Sequence, residues 1–219
     1  MQIAIDGPAS AGKSTIAKLI AKNLDFVYCD TGAMYRAVTL LAKKNNVDYD
    51  DSSSILKLMS EHKIYFVNKP GGQHVMLDDE DISDTIRTEE ITNNVSQVSA
   101  IKEVRTELVE MQRQLANDVD IVMDGRDIGT TVLPDADVKI FLIASVAVRA
   151  KRRYKENIER GINTPLDVLE DEIAARDYKD SHRKISPLKK ADDAIEVDSS
   201  DMNIEQVVKR ITEIINKNK

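Results

Sequence analysis

The chain carries near its start the stretch Gly7-Pro8-Ala9-Ser10-Ala11-Gly12-Lys13-Ser14-Thr15. It matches the pattern G-x-x-x-x-G-K-[S/T] without departure, and it stands between an apolar run at residues 3–5 and a helical pattern that begins at Ile16. Glycines in such a loop admit backbone conformations that let main-chain N–H groups converge on an anion. The sequence therefore predicts a phosphate-binding P-loop between a strand and a helix.

The composition of this loop predicts a nucleoside triphosphate, ATP or GTP, as its ligand. Lys13 is placed to reach the β and γ phosphates, and the Ser14 hydroxyl is suited to a magnesium ion that bridges them. The helix after Gly12 adds the positive end of its dipole. We therefore expect residues 7–15 to bind the triphosphate together with Mg²⁺.

Length and charge limit the classes of partner. The chain has 219 residues and a formal net charge of −7, so we expect one domain and no basic field that would concentrate nucleic acid or anionic lipid. We find neither a secretory signal pattern nor an apolar run of membrane-spanning length, which predicts a cytoplasmic protein without a membrane partner. We expect it to be a monomer, with its one cysteine, Cys29, as a buried apolar residue.

Apolar patterns along the chain predict an α/β protein. A strand at residues 26–29 follows the first helix and completes a βαβ unit, which requires a parallel sheet that binds ligands beyond its carboxyl ends. Residues 138–144 are continuously apolar, as expected for a central strand. Two short strands at 64–67 and 74–77 flank a Pro-Gly-Gly turn and predict an antiparallel hairpin. The expected fold is a P-loop NTPase fold: a central parallel sheet flanked by helices, a small antiparallel insert and a helical lid.

Boundaries follow from these changes of pattern. We expect residues 63–85 to form the hairpin insert and residues 149–165 a lid, with the remaining segments 1–62, 86–148 and 166–219 as core. The lid segment is basic, which is compatible with nucleic-acid binding, but its few aromatic residues favour a mobile cover over a triphosphate. Periodic apolar residues further predict a long helical region over 88–115.

Charged residues follow two predicted strands. Asp124 ends the apolar strand 120–124, where an acid beside a P-loop commonly holds magnesium, and Arg126 and Asp127 lie at the same edge. Arg36 follows the strand at 26–29, although an arginine in that position is by itself more often a solvated helix residue. These residues place a second polar site near the loop.

The constellation resembles the bacterial cytidylate kinases, also called CMP kinases, of the nucleoside monophosphate kinase family. The resemblance runs from the P-loop to the last helix, and its motifs are IDGP at 5–8, DTGAMYR at 30–36, IRTE at 86–89, SQVS at 96–99, DGRDIGT at 124–130 and the segment from Ala175 to Arg183. It implies roles for particular residues. The acceptor phosphate would be held by Thr31, Arg36 and Arg126; the base by Ser96, Arg105 and Arg183; the sugar by Arg176 and Asp180, with Asp127 fixing the network. It also implies lid cations, namely Arg149, Arg153 and Arg160.

The resemblance implies transfer of the γ-phosphoryl group of ATP to CMP or dCMP. Two other classes share the P-loop. A nucleotide-dependent switch would carry a guanine-reading N-K-x-D motif, which the sequence lacks, and a small-metabolite kinase of the shikimate or gluconate type would not need a base-reading pocket. We therefore expect a magnesium-dependent nucleoside monophosphate kinase.

Overall fold

The structure, a computed structural model, describes residues 1–69, 72–159 and 161–218. It consists of two compact units, of which the first contains Met1–Cys29 and Ala116–Lys219 and the second contains Asp30–Leu115. The elements in chain order are β1 (Gln2–Asp6), α1 (Lys13–Leu24), β2 (Val27–Asp30), α2 (Thr31–Lys44), α3 (Ser52–Glu61), β3 (Ile64–Lys69), β4 (Gly72–Leu77), β5 (Glu80–Asp81), α4 (Glu89–Val98), α5 (Lys102–Leu115), β6 (Ile121–Gly125), β7 (Val138–Ile143), α6 (Val146–Glu159), α7 (Leu166–His182), β8 (Ile195–Asp198) and α8 (Ile204–Lys217). A 3₁₀ turn at Thr85–Arg87 and a π-helical turn at Ile128–Val132 complete them.

A five-stranded sheet in the order β2-β6-β1-β7-β8 organises the first unit. β1 pairs in parallel with both β6 and β7, and β7 pairs in parallel with β8. Ile5 lies opposite Asp124 on one side and Ile140 on the other, so the carboxyl ends of these strands reach the same edge. The predicted parallel sheet is confirmed, and its edge carries the loop and the acid that follow the strands.

Isoleucines from the sheet and from two helices form the core of the first unit. Ile3 and Ile5 of β1 pack with Ile16 and Ile20 of α1 and with Ile211 of α8, and all five are buried. Burial of such a side chain contributes roughly 1.5–3 kcal/mol, so this layer holds β1 and α1 firmly on either side of the loop. The loop is thereby fixed at both ends.

The second unit combines a three-stranded antiparallel sheet, β3-β4-β5, with helices α2 to α5. Phe66 lies opposite Val75 in the β3–β4 pair, which confirms the predicted antiparallel strands; the turn residues 70 and 71 lie outside the described residues. Helix α2 begins where Asp30 caps it, because the Asp30 carboxylate accepts a 2.9 Å hydrogen bond from the Ala33 N–H.

The helical region expected over 88–115 consists of two helices, α4 and α5, separated at residues 99–101, a break that the sequence did not predict. The chain turns there through short-range bonds: the Ala100 N–H donates to the Gln97 carbonyl, and the Ser99 hydroxyl donates to the Ser96 carbonyl. The Ser99 carbonyl accepts from Arg105 Nη1 at 3.0 Å instead of continuing the helical ladder. Side-chain competition for backbone groups ends the helix, and apolar periodicity does not reveal it.

The division into core, insert and lid stays a prediction. Helix α6 covers most of the basic segment, and Arg160 lies outside the described residues. Within the ranges that the structure describes, each helix is too short or too polar to cross a lipid bilayer.

Candidate nucleotide site

The loop between β1 and α1 has the backbone conformation that its glycines predict. Gly7 has φ of +151° and Gly12 has φ of +90°, a region that other residues rarely adopt. A Cβ at Gly7 would lie 2.0 Å from the Leu142 carbonyl oxygen of β7. Glycine is therefore required at position 7 both by conformation and by space.

Lys13 is buried at the start of α1, and its ammonium group donates a 2.7 Å hydrogen bond to the carbonyl of Pro8. Burial, together with the nearby guanidinium of Arg126, lowers the pKa of Lys13 well below its usual value, while Asp124 opposes the shift. An anionic ligand beside this buried ammonium group would offset the cost of burial and favour its charged form.

Ser14, Asp124 and Tyr28 form a connected polar group beside the loop. The Ser14 hydroxyl donates to Asp124 Oδ2 at 2.8 Å, and the Tyr28 hydroxyl donates to Asp124 Oδ1 at 2.8 Å. The carboxylate is buried, since Asp124 is 3% exposed. A hydroxyl and a carboxylate at this distance are hard oxygen donors of the type that magnesium takes from a protein alongside phosphate oxygens. The pair fits a magnesium ion.

Two ion pairs of low exposure join the segment after β6 to the end of α7. Arg126 Nε donates to Asp180 Oδ2 of α7 at 3.0 Å, and Arg183 Nη2 lies 3.3 Å from Asp127 Oδ1. Burial alone would raise the pKa of Asp180, but the guanidinium groups of Arg126, Arg176 and Arg183 hold it below its usual value. The predicted residues Arg126, Asp127, Arg176, Asp180 and Arg183 thus form one charged network in the first unit.

In the second unit, Thr31 and Arg36 lie on the first turns of α2. Thr31 is buried, and Arg36 Nη2 is 3.2 Å from Asp30 Oδ2. Arg87 of the 3₁₀ turn approaches the same carboxylate at 3.8 Å. Asp30 therefore both caps α2 and contacts the guanidinium groups of Arg36 and Arg87.

Ser96 and Arg105 lie on α4 and α5 of the same unit. Arg105 is 2% exposed, and its guanidinium stands 5.2 Å from the ring centroid of Tyr35 besides donating to the Ser99 carbonyl. Ser96 is half-buried, with its carbonyl accepting from the Ser99 hydroxyl. The two predicted base-binding residues thus flank the break between α4 and α5.

The arginines of the basic helix α6 differ in burial and in hydrogen-bond partners. Arg149 is buried and donates from Nε to the Ala144 carbonyl and from Nη1 to the Ala9 carbonyl, each at 2.9 Å. Arg152 donates to the Ser199 carbonyl at 2.6 Å. Arg153 is half-buried and lies 3.8 Å from Glu156. Two of these guanidinium groups are therefore bonded to main-chain carbonyls of the first unit.

Comparison with known proteins identifies the family of this chain. A family model described as cytidylate kinase matches residues 3–217. The chain belongs to the cytidylate kinase family. A cytidylate kinase of Lactobacillus johnsonii is 61% identical over 217 residues, which is 99% of this chain and 94% of the relative. A cytidylate kinase of Streptococcus pneumoniae is 56% identical over 212 residues, covering 96% of this chain and 95% of the relative.

The likeness to one solved structure concerns only the fold. An uncharacterised protein from Eubacterium ventriosum superposes with a TM-score of 0.54 at 11% identity, and the match covers 99% of this chain and 98% of that chain. The family resemblance inferred from the motifs and the P-loop α/β fold are both confirmed.

Several polar residues of this cytidylate kinase family member were given no role from the sequence. Asp6 accepts hydrogen bonds from the backbone of the DGRDIGT motif, Tyr28 contacts Asp124, and Asp177 contacts the P-loop at Ala9. Asp6 ends a strand, as Asp124 does, which was an available signal. The partners of Tyr28 and Asp177 lie 96 and 168 residues away, so spacing along the chain gives no sign of them.

Proposed function

We propose that this protein transfers the γ-phosphoryl group of ATP to the 5'-phosphate of CMP or dCMP, giving ADP and CDP or dCDP. The observation that carries the proposal is the match to the cytidylate kinase family across residues 3–217, which includes both the P-loop and the arginine-bearing motifs. A triphosphate site alone would fit many activities. The acceptor residues distinguish a nucleoside monophosphate kinase from them.

The donor would be held by the loop and by Lys13. The loop lies between a strand and a helix start and contains Gly7 and Gly12, so its N–H groups would bind the phosphate oxygens. Lys13 already donates to a loop carbonyl, so it is positioned at the loop and has to exchange that bond for a phosphate oxygen. The exchange replaces a neutral acceptor by an anion and is favourable.

Magnesium fits the same side of the loop. Ser14 and Asp124 would hold it, one through a hydroxyl and the other through a carboxylate, and Tyr28 would keep the Asp124 carboxylate in place. When bound, the ion neutralises charge on the phosphates of ATP and helps to align them.

The acceptor would be held by guanidinium groups. Arg36 and Arg126, with Thr31, are proposed to bind its phosphate, since a planar guanidinium fork matches phosphate oxygens. The base would be bound by Ser96, Arg105 and Arg183, and the sugar by Arg176 and Asp180. Arg126, Asp127, Asp180 and Arg183 are already paired with one another, so their side chains have little freedom left to lose on binding.

The reaction needs positioning and charge neutralisation rather than covalent help from the protein. Phosphoryl transfer passes through a loose transition state in which negative charge spreads over the transferred group, and Lys13 and arginines stabilise that charge. Arg153 and Arg160 remain the predicted lid cations. A site closed to water limits hydrolysis of ATP in place of transfer.

The test is an assay of ADP release with ATP and magnesium, in which CMP, dCMP, UMP, AMP and shikimate are compared as acceptors. We expect CMP and dCMP to stimulate ADP release far more than AMP or shikimate. Stimulation by shikimate alone would favour the small-metabolite kinase, and turnover that no acceptor stimulates would contradict the kinase proposal. The assay also measures the preference among CMP, dCMP and UMP.

A further inference from the structure

The ion pair between Arg149 of α6 and Asp177 of α7 contacts the backbone of the P-loop. Arg149 Nη1 lies 2.6 Å from Asp177 Oδ2, and the side chain of Arg149 is 5% exposed. Asp177 Oδ1 accepts a 3.1 Å hydrogen bond from the Ala9 N–H, while Arg149 Nη1 donates to the Ala9 carbonyl at 2.9 Å. One ion pair therefore grips a single P-loop residue at both of its backbone polar groups.

The contacts of Arg149 constrain what its guanidinium can do. Its Nε donates to the Ala144 carbonyl just after β7, and its Nη1 is shared between Ala9 and Asp177. To reach a transferred phosphoryl group, the side chain would have to leave two carbonyls and a carboxylate inside a buried site. Breaking one side of a buried charge pair is costly, because the remaining charge stays without compensation. Arg149 is thus suited to hold the loop in place.

The orientation of the loop carbonyls affects how the loop binds an anion. The Ala9 and Ala11 carbonyl oxygens accept from Arg149 and Arg152, respectively, whereas the Pro8 carbonyl accepts from Lys13 only until a phosphate takes that bond. A carbonyl turned toward a polyphosphate would repel it, whereas the N–H groups of the loop attract it. Cations that bind the carbonyls keep them turned to their own side, so the peptide groups stay oriented for the anion.

We propose that Asp177 and Arg149 are positioning residues of the donor site, which act on ATP and ADP through Ala9 and not by contact with the transferred group. The proposal rests on the proposed kinase function for its catalytic consequence, but the loop it concerns binds nucleotide whichever acceptor is used. It assigns Arg149 a role different from that of a lid cation. It also links helices α6 and α7, which carry the two residues, to the conformation of the P-loop.

The experiment measures ADP affinity by titration calorimetry and the Michaelis constants of ATP and CMP in the intact chain. We expect Asp177→Ala to weaken ADP binding by about tenfold or more and to raise the ATP constant by a similar factor, since a charge-assisted contact is lost. The CMP constant should change by less than about twofold. Asp177→Asn keeps an oxygen that can accept from Ala9 and should recover part of the affinity.

A matched control is Asp171→Asn, which removes an exposed acid from the same helix and should leave ADP affinity unchanged. In the double variant Asp177→Ala/Arg149→Ala, the loss of ADP affinity should be much smaller than the product of the losses in the two single variants. Both residues act on the same loop residue, so their effects are not independent. A purely structural role would reduce the folded fraction and the turnover number without this shift in ADP affinity.

The outcomes separate this proposal from the proposed function. Wild-type protein that binds ADP but does not phosphorylate CMP contradicts the kinase proposal and leaves the loop test intact. An Asp177→Ala variant that binds ADP as wild type does, while wild type turns over CMP, overturns the positioning role. Equal weakening of ATP and CMP binding in that variant overturns it as well.

Discussion

Asp6 Oδ2 accepts a 2.8 Å hydrogen bond from the backbone N–H of Gly129, a residue 123 positions further along the chain. The other carboxylate oxygen, Oδ1, accepts from the Ile128 N–H at 2.8 Å. Asp6 ends β1 immediately before the P-loop, and Ile128 and Gly129 open the π-helical turn after Arg126 and Asp127. One buried carboxylate therefore joins the loop that faces the donor to the motif that is proposed to bind the acceptor.

The first prediction concerns the pH dependence of stability. Burial raises the pKa of Asp6 to about 6 from 3.8, although the Gly129 and Ile128 hydrogen bonds lower it. Between roughly pH 4 and pH 6 the folded state therefore holds a proton that the unfolded state has lost, so the contribution of Asp6 to the free energy of unfolding falls as pH rises. The fall is at most about 3 kcal/mol.

Asp6→Asn removes this titration. We expect the free energy of unfolding of wild type minus that of Asp6→Asn, measured by urea denaturation, to decrease from about pH 4 to about pH 7. Asp192→Asn, which removes an exposed acid, controls for the loss of one negative charge. A difference that is constant over this range would show that Asp6 does not titrate there.

Much of the fold was predictable because its signals are local. The glycine loop, the apolar strand at 138–143 and the hairpin each follow from residues close together in sequence, and the structure has them at the expected places. The break between α4 and α5 was not predicted. It depends on Arg105 reaching back to the Ser99 carbonyl, a contact that apolar periodicity does not record.

The residues of the candidate site likewise include some that the sequence predicts and some that it does not. Lys13, Ser14 and Asp124 were predicted because a loop motif and the end of a strand identify them, and the structure brings Ser14 and Asp124 within 2.8 Å. Asp177 could not be predicted, since its partner Ala9 belongs to the other end of the chain. Arg149 was predicted as a lid cation from the basic segment and the family resemblance, and neither distinguishes a guanidinium that faces a ligand from one that holds a loop.

The second prediction is that Lys13→Ala abolishes turnover. The Lys13 ammonium group donates to the Pro8 carbonyl of the loop; burial and Arg126 lower its pKa, and a bound polyphosphate would favour its charged form. We expect turnover to fall by a factor of about 10² or more in the ADP-release assay. Lys22→Ala, an exposed lysine in the last turn of the same helix, is the control and should retain wild-type turnover.

The third prediction is that Arg183→Ala chiefly raises the Michaelis constant of CMP. Arg183 pairs with Asp127 and donates to the Ser186 carbonyl at 2.7 Å, so it is held in place before a ligand binds. We expect an increase of about tenfold or more for CMP with a small change for ATP. The neighbouring exposed Lys184→Ala should change neither constant. An unchanged CMP constant in Arg183→Ala would count against a role in base binding.

The last prediction concerns Tyr28, whose hydroxyl donates to Asp124 Oδ1 while the Ser14 hydroxyl occupies Oδ2. Tyr28→Phe removes one donor from a buried carboxylate and leaves its charge, so we expect Mn²⁺ binding to the ADP complex, measured by electron paramagnetic resonance, to weaken by a few-fold, about 2 to 10. Asp124→Asn removes the charge itself and should weaken it far more. Metal binding that is equally strong in Asp124→Asn and in wild type would exclude Asp124 as a ligand, and an effect of Tyr28→Phe without one of Asp124→Asn would show that Tyr28 acts elsewhere.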